Sequence, residues 1–235
     1  MTAMKLRLLD LFSGIGGFSL GLERSGGFET VAFCEIDPFC RKVLSKHWPT
    51  VRQYEDVRDL TTARLSADGI CVDAVCGGFP CQPFSTASRG RRVAADLWPE
   101  MLRVIAETKP KLVFAENVQK AAIADAARDL TGFGYATHYC RIGADEAGAD
   151  HQRNRWWAIA YTDAESELYR AVHAEVAKLP ALCRGLWGPA NYARAIRVSV
   201  GVPDRVERIE ALGNAVLPHI PELLGRAWLV SQEAA

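Results

Sequence analysis

Short apolar runs alternate with amphipathic stretches along the first two thirds of the chain. The apolar runs are nearly continuous, as in strands that are covered on both faces of a sheet. They predict strands at residues 5–12, 30–34, 51–55, 72–75, 112–115, 135–142 and 156–161. Apolar residues at helical spacing predict helices at residues 19–23, 38–47, 97–107, 168–179 and about 219–230. This order of elements predicts an α/β fold with a mostly parallel sheet.

A glycine turn follows the first predicted strand and leads into a helix. It reads Asp10-Leu11-Phe12-Ser13-Gly14-Ile15-Gly16-Gly17, and its glycines let the backbone approach a nucleotide-type ligand closely. The dinucleotide fingerprint would need a glycine at Ser19, which disfavours a nicotinamide-dependent dehydrogenase. Glu35 ends the second strand, where it can accept ribose hydroxyls. The alternative is a helix N-terminal acid ahead of Pro38.

Three further strand ends carry side chains with candidate chemistry. Cys81 follows the fourth strand in a turn that Pro80 and Pro83 stiffen, which makes it either a candidate nucleophile or a small buried hydrophobe. Glu116 ends the fifth strand, as a site acid or as part of a helix cap. Asp56 follows the third strand, as a partner of an adenine amine or as a solvated loop acid. We expect one site at the carboxyl edge of the sheet.

Local arginine groups are the candidate contacts for a nucleic acid. The formal net charge is zero, so any such partner must be held by local patches rather than by a global field. Arg153 and Arg155, at spacing two, point to the same side of an extended segment. Arg89, Arg91 and Arg92 are candidates for phosphate contacts. Solvated surface arginines are the alternative for both groups.

Composition limits the class of protein. The 235 residues are 49% hydrophobic and 24% charged, which predicts a soluble globular protein with one large domain or one domain and a small appendage. The seven cysteines lack zinc spacing, so we predict no metal site and a reducing compartment. We find no membrane span and no signal peptide in the sequence, and we therefore expect a cytoplasmic protein.

The motifs, taken in order, resemble those of the DNA (cytosine-5)-methyltransferases of bacterial or phage type. The likeness spans residues 6–161 and 205–228. Its motifs are the glycine turn, Phe79-Pro80-Cys81-Gln82, Glu116-Asn117-Val118, Arg153-Asn154-Arg155 and Gly213-Asn214-Ala215-Val216. The resemblance implies a Rossmann-like S-adenosylmethionine-dependent methyltransferase fold with a small accessory lobe.

The same resemblance implies four catalytic residues. Cys81 would attack C6 of cytosine and turn C5 into an enamine carbon. Glu116 would supply a proton or a strong hydrogen bond at N3, for which we expect desolvation to raise its pKa. Arg155 would hold O2 of the base, and Arg153 would help to place the nucleophile. The target base must be flipped out of the stacked duplex.

The resemblance also assigns the ligands. The cofactor is S-adenosylmethionine, which leaves as S-adenosylhomocysteine. The residues implied to bind it are Phe12, Gly14, Gly16, Glu35, Ile36, Asp56, Val57, Pro80, Leu97, Asn214 and Val216. The residues implied to contact double-stranded DNA are Gln82, Ser85, Arg89, Arg91 and Arg92. A cognate restriction endonuclease is a further candidate partner, and we expect no membrane partner.

The predicted organisation has three parts. Residues 1–161 form the catalytic and cofactor-binding domain, 162–204 a reduced target-recognition lobe, and 205–235 a segment that returns to the catalytic domain. Because so few residues separate Arg155 from Gly213, we expect a short or relaxed recognition sequence. Two alternatives stay open: a tRNA cytosine-5 methyltransferase, and a catalytically inactive nucleic-acid-binding protein.

Overall fold

A seven-stranded sheet forms the centre of the part of the chain that the structure describes. This computed structural model describes residues 4–80, 96–143, 154–162, 171, 174, 211–212 and 214–233. The strands are β1 (Leu6–Leu11), β2 (Phe28–Cys34), β3 (Arg52–Tyr54), β4 (Ala74–Gly78), β5 (Leu112–Asn117), β6 (Ala136–Gly143) and β7 (Asn154–Tyr161). Their order across the sheet is β3-β2-β1-β4-β5-β7-β6.

Helices connect the strands and cover both faces of the sheet. They are α1 (Gly17–Arg24), α2 (Pro38–His47), α3 (Thr62–Ala67), α4 (Trp98–Thr108), α5 (Lys120–Gly132) and α6 (His219–Glu233), with a 3₁₀ turn at Val57–Asp59. No helix within these described ranges is long and apolar enough to cross a membrane.

The strands β1 to β5 are parallel, and β7 is antiparallel to both of its neighbours. Since β6 and β7 follow each other in the chain as an antiparallel pair, β7 can enter the sheet beside β5 with its direction reversed. The predicted mostly parallel α/β sheet is therefore confirmed. The five parallel strands end at a common edge, and their last residues are Leu11, Cys34, Tyr54, Gly78 and Asn117.

Each face of the sheet has its own hydrophobic core. On one face, Leu8, Phe28 and Trp157 pack with residues of α1 and α6. On the other face, Val75, Val113 and Ala158 pack with residues of α3, α4 and α5. Strands buried on both faces read as continuous apolar runs, which explains why their positions were predictable from sequence.

The contact between α1 and α6 depends on small residues. A Cβ atom at Gly21 would lie 2.1 Å from the carbonyl oxygen of Pro218 and 2.8 Å from Cβ of Pro221. A Cβ atom at Gly17 would lie 2.3 Å from the carbonyl oxygen of Val216. The C-terminal segment thus packs directly on the helix that follows the glycine turn.

Gly21→Ala is expected to destabilise the fold by about 1–3 kcal/mol, because the new methyl group must push backbone atoms apart. Gly132→Ala is the control, since an added Cβ there meets no heavy atom of the described residues within 4 Å. Alanine at Gly132 should be neutral or stabilise by up to about 1 kcal/mol. Urea unfolding of the two variants measures the difference, and equal stabilities would contradict this packing.

The three-part organisation remains a prediction. Of the proposed target-recognition lobe, residues 162–204, the structure describes residues 162, 171 and 174 alone. The predicted helix at residues 168–179 therefore lies largely outside the described residues. In the described part of the chain, α6 packs on α1.

Candidate active site

A cleft of about 570 Å³ opens at the carboxyl edge of the sheet. Its walls come from the carboxyl ends of the parallel strands and the segments that follow them, from β7, and from Leu97, Ala211 and Asn214. The residues that line it are Phe12, Gly14, Cys34, Glu35, Ile36, Asp37, Cys40, Glu55, Asp56, Val57, Arg58, Gly78, Phe79, Pro80, Leu97, Glu116, Asn117, Val118, Arg155, Ala211 and Asn214. Most of the described residues that the sequence predicted for the site therefore share one cleft.

Two predicted cofactor residues, Gly16 and Val216, are not among the residues that line this cleft. Gly16 lies beneath an indole ring instead, because a Cβ atom there would be 2.6 Å from Cζ3 of Trp48. Val216 packs its backbone against Gly17. A Cβ atom at Gly78, which lines the cleft, would lie 4.0 Å from Cγ2 of Val216. Direct contact of Gly16 and Val216 with a cofactor stays a prediction.

The glycine turn has an unusual backbone. Phe12, Gly14 and Gly16 have φ values of 53°, 54° and 84°, in the left-handed region. Phe12 adopts this conformation without being glycine, and such strain is found where the surrounding structure fixes a functional residue. The turn therefore holds the Phe12 side chain at the wall of the cleft.

Glu35 joins the glycine turn to the end of β2. Its Oε2 accepts a hydrogen bond from the backbone N–H of Gly14 at 2.7 Å, and its Oε1 accepts one from Asp37 N–H at 2.8 Å. Burial raises the pKa of this carboxyl, and the backbone donors oppose that rise. Since each carboxylate oxygen can accept more than one hydrogen bond, Glu35 can clamp the turn and still accept a hydroxyl.

Asp56 is already engaged by a neighbouring cation. Both carboxylate oxygens accept from the Arg58 guanidinium, at 2.9 Å and 3.1 Å from Nε and 2.5 Å from Nη2. This arginine holds the pKa of Asp56 below its usual value. Arg58, which no sequence motif points to, also lines the cleft. An amine bound by Asp56 would have to share the carboxylate with Arg58.

Glu116 and Arg155 form an ion pair at the other end of the cleft. Nε of Arg155 lies 2.6 Å from Oε1 of Glu116, and the Glu116 side chain is 10% exposed. Gly78 makes room for this carboxylate, because a Cβ atom there would lie 2.9 Å from Glu116 Oε2. Antiparallel pairing of β5 with β7 brings the two residues together from separate stretches of sequence.

Asn117 links the end of β5 to the turn before Cys81. Its side-chain amide donates to the carbonyl oxygen of Phe79 at 2.9 Å, and its carbonyl oxygen accepts from Gln119 N–H at 2.9 Å. Asn117 is 3% exposed. Asn117 does not cap α5, whose N-cap is Gln119 without a side-chain cap hydrogen bond. Its hydrogen bonds instead fix the backbone at Phe79, next to Pro80.

Several predicted site residues fall outside the described part of the chain. They are Cys81, Gln82, Ser85, Arg89, Arg91, Arg92 and Arg153. Their roles stay predictions.

The family model of the C-5 cytosine-specific DNA methylases matches residues 6–187. The chain belongs to this family. Type II methyltransferase M.HgiCII from Herpetosiphon aurantiacus is 31% identical over 190 residues, which are 70% of this chain and 42% of that protein. Type II methyltransferase M.CviJI from Paramecium bursaria Chlorella virus IL3A is 33% identical over 167 residues, which are 67% of this chain and 43% of that protein.

Solved structures show the same fold at lower identity. An E. coli prophage protein described as a DNA modification methyltransferase is 19% identical, with a TM-score of 0.66 over 97% of this chain and 100% of that chain. The S. pombe Dnmt2 methyltransferase is 22% identical, with a TM-score of 0.57 over 71% of this chain and 55% of that chain. The chain spans less than half the length of the two curated methylase relatives above.

A buried carboxyl group supports the glycine turn in this methylase family member. Asp10, in β1, is completely buried, and its Oδ2 accepts hydrogen bonds from Ser19 Oγ at 2.7 Å and Ser19 N–H at 3.3 Å. Its Oδ1 is buried without a hydrogen-bond partner among the described residues. Burial raises the pKa of Asp10 to about 7, although the bonds from Ser19 lower it. Asp10 thus ties β1 to the first turn of α1.

The raised pKa of Asp10 predicts a pH-dependent stability. Above pH 4 the unfolded chain releases the Asp10 proton while the folded chain keeps it, so stability falls as pH rises, until Asp10 ionises in the folded state near pH 7. From about pH 5 to pH 8, this amounts to roughly 3 kcal/mol. Urea unfolding of wild type and Asp10→Asn across this range measures it. The variant should lose that part of the slope, and identical slopes would refute the prediction.

Proposed function

We propose that this chain transfers a methyl group from S-adenosylmethionine to C5 of cytosine in double-stranded DNA. The observation that carries the proposal is the Glu116–Arg155 ion pair, 2.6 Å long, in the same cleft as Glu35 and Asp56. One end of the cleft thus offers acceptors for a nucleoside. The other end offers a carboxyl and a guanidinium for a pyrimidine ring. Membership of the cytosine C5 methylase family supports both assignments.

The cofactor end of the cleft fits an adenosyl group. Glu35 presents a carboxylate at the end of β2, and Asp56 presents a second one after β3. Ile36 lies between them in sequence, and 63% of its surface is exposed although it is apolar. An exposed apolar side chain between two acids suits a flat base with polar groups at each end. When bound, S-adenosylmethionine supplies the methyl group.

The base end of the cleft is the place for proton and hydrogen-bond chemistry. Glu116 would meet the charge that develops at N3 of cytosine, and Arg155 would donate to O2. The Glu116 carboxyl is nearly buried and lies against the Arg155 guanidinium, so both groups would face a base bound at this end of the cleft. A base bound between them would accept hydrogen bonds from Arg155 in place of Glu116. Glu116 would then face N3 of the base, where it would hold a proton.

Cys81 would supply the nucleophile. It follows Pro80, whose neighbour Phe79 is held by the Asn117 amide, so the backbone leading to Cys81 is fixed. Its thiolate would bond to C6, and the electron pair of the C5–C6 double bond would then take up the methyl group at C5. Loss of the C5 proton restores the double bond and expels the thiolate. The base must leave the duplex for this attack.

The Type II relatives support a restriction–modification setting for this activity. A cognate endonuclease would then be the partner enzyme, and the reaction would take place on DNA in the cytoplasm of a bacterial or phage-infected cell. The recognition sequence would depend on residues outside the described part of the chain.

Incorporation of labelled methyl groups tests the proposal directly. The purified chain is incubated with labelled S-adenosylmethionine and either duplex DNA or tRNA, and the digested nucleosides are separated. The proposal predicts label in 5-methyldeoxycytidine from DNA. Label in tRNA alone would favour the RNA methyltransferase, and the absence of label from both would favour an inactive binding protein.

A further inference from the structure

A patch of aromatic and cationic side chains lies on the surface beside the cleft. We define the β6–β7 patch as Lys120, Tyr139, Arg141 and Trp156. Lys120 Nζ lies 5.2 Å from the centre of the Trp156 ring, and the Tyr139 and Trp156 rings are 6.4 Å apart. Lys120, Tyr139 and Arg141 are exposed, and Trp156 is partly buried.

The sheet register places these residues on one face. Arg141 of β6 stands opposite Trp156 of β7, and Tyr139 stands opposite Ala158. Directly paired residues of antiparallel strands project to the same side of a sheet. That side is the one covered by α5, and Lys120 is the first residue of α5. Strand pairing and helix position therefore assemble the patch from three separate parts of the sequence.

The patch is continuous with the cleft. Trp156 pairs with Asn117, and Arg155, the residue before Trp156, lines the cleft with Val118. Lys120 follows Val118 by two residues. Asn117 and Val118 both line the cleft, so the patch adjoins the part of the cleft that these two residues form.

The charges of the patch suit phosphate groups. Lys120 and Arg141 carry positive charge, and the Arg141 guanidinium donates to the side-chain oxygen of Asn154. Asp125, further along α5, is paired with Arg128 at 2.7 Å. Because the whole chain has zero formal net charge, binding to a polyanion depends on local concentrations of cations such as this one.

We propose that the β6–β7 patch binds the sugar–phosphate backbone of the DNA strand next to the flipped cytosine. This inference rests on the proposed function for the identity of the polymer. Lys120 and Arg141 contact phosphates, and Tyr139 and Trp156 supply the flat surface between them. The patch contributes affinity without sequence information, since phosphate contacts position the duplex while base contacts specify it.

The salt dependence of binding tests the patch. Affinity of the full chain for sheared genomic DNA is measured over a series of NaCl concentrations for wild type, Lys120→Gln, Arg141→Gln and the double variant. Each lost phosphate contact should reduce the slope of log K against log salt by about 0.9. The double variant should therefore lose roughly two from the slope, and each single variant roughly one.

Arg128→Gln is the matched control, because it removes one exposed positive charge from the same helix at a distance from the cleft. It should keep the wild-type slope. Thermal unfolding establishes that each variant is folded. A double variant with the wild-type slope and affinity would overturn the inference, as would a wild-type chain that binds no DNA.

Methyl incorporation, measured in parallel, separates this inference from the proposed function. If the patch variants lower the salt dependence of DNA binding but wild type transfers no methyl group, the patch is a DNA-binding surface and the proposed function is wrong. If wild type methylates DNA, and the double variant binds and methylates DNA like wild type at every salt concentration, the proposed function is supported and the proposed role of the patch is wrong.

Discussion

Replacing Cys81 with alanine is expected to lower methyl transfer to DNA by about 10³-fold or more, because no other group would supply the bond to C6. The affinity for S-adenosylmethionine should stay within a few-fold of wild type, since the residues proposed to bind it, Glu35, Ile36 and Asp56, line the cleft on other segments of the chain. Single-turnover transfer of labelled methyl groups measures the first quantity. Calorimetric titration with S-adenosylmethionine measures the second.

Cys71→Ala is the control for this experiment. Cys71 is an exposed free cysteine, and it is not among the residues that line the cleft. Its replacement should leave methyl transfer unchanged. Full activity in Cys81→Ala, or equal losses in the two variants, would contradict the assignment of the nucleophile.

Glu116→Gln is expected to lower methyl transfer by about 10²–10⁴-fold, the usual contribution of a positioned acid or base. Glutamine keeps the shape of the side chain but cannot give a proton to N3, and it removes the charge that pairs with Arg155 at 2.6 Å. Cofactor affinity should change little. The transfer rate at saturating S-adenosylmethionine and DNA measures the effect.

The matched control is Glu100→Gln. Glu100 forms a similar ion pair with Arg103, at 2.9 Å on α4, and it does not line the cleft. The two variants should therefore differ in transfer rate by orders of magnitude while both remain folded by thermal unfolding. If the Glu116→Gln and Glu100→Gln variants had the same transfer rate, Glu116 would not take part in the reaction.

The sequence predicted those elements whose ends carry strong local signals. The predicted bounds of α2 agree with the structure, Pro38–His47, because Asp37 caps the helix and proline occupies its first position. In contrast, α3 was not predicted. It has six residues and buries only Leu65 among them, which is too short for a hydrophobic period.

The ends of the central strands were less predictable, for a reason connected with the site. The apolar pattern stops at Ala115, but β5 continues through Glu116 and Asn117. These polar residues are tolerated in a buried strand because Arg155 pairs with one and the Phe79 carbonyl accepts from the other. The hydrophobic pattern alone therefore predicts a strand that stops just before the candidate site residue Glu116.

The sequence alone did not predict which side chains pair with each other inside the cleft. Glu116 and Arg155 were each predicted to contact the base, but their mutual ion pair depends on β7 entering the sheet beside β5. Likewise, the ion pair between Arg58 and Asp56 depends on a 3₁₀ turn that no sequence pattern indicated. Spacing along the chain identifies residue types for a reaction, and the sheet order determines which of them meet.

The proposed mechanism requires a covalent bond between Cys81 and C6 of cytosine while the methyl group is transferred to C5. Covalent trapping on DNA that contains 5-fluorocytosine tests for this bond directly. In ordinary DNA the C5 proton is lost and the thiolate leaves, but fluorine cannot leave C5 as a cation, so the Cys81–C6 bond should persist. We expect a denaturant-stable complex of chain and DNA that requires S-adenosylmethionine and is absent with Cys81→Ala. Methylation of ordinary DNA without any trapped complex, or a complex that survives in Cys81→Ala, would contradict the proposed mechanism.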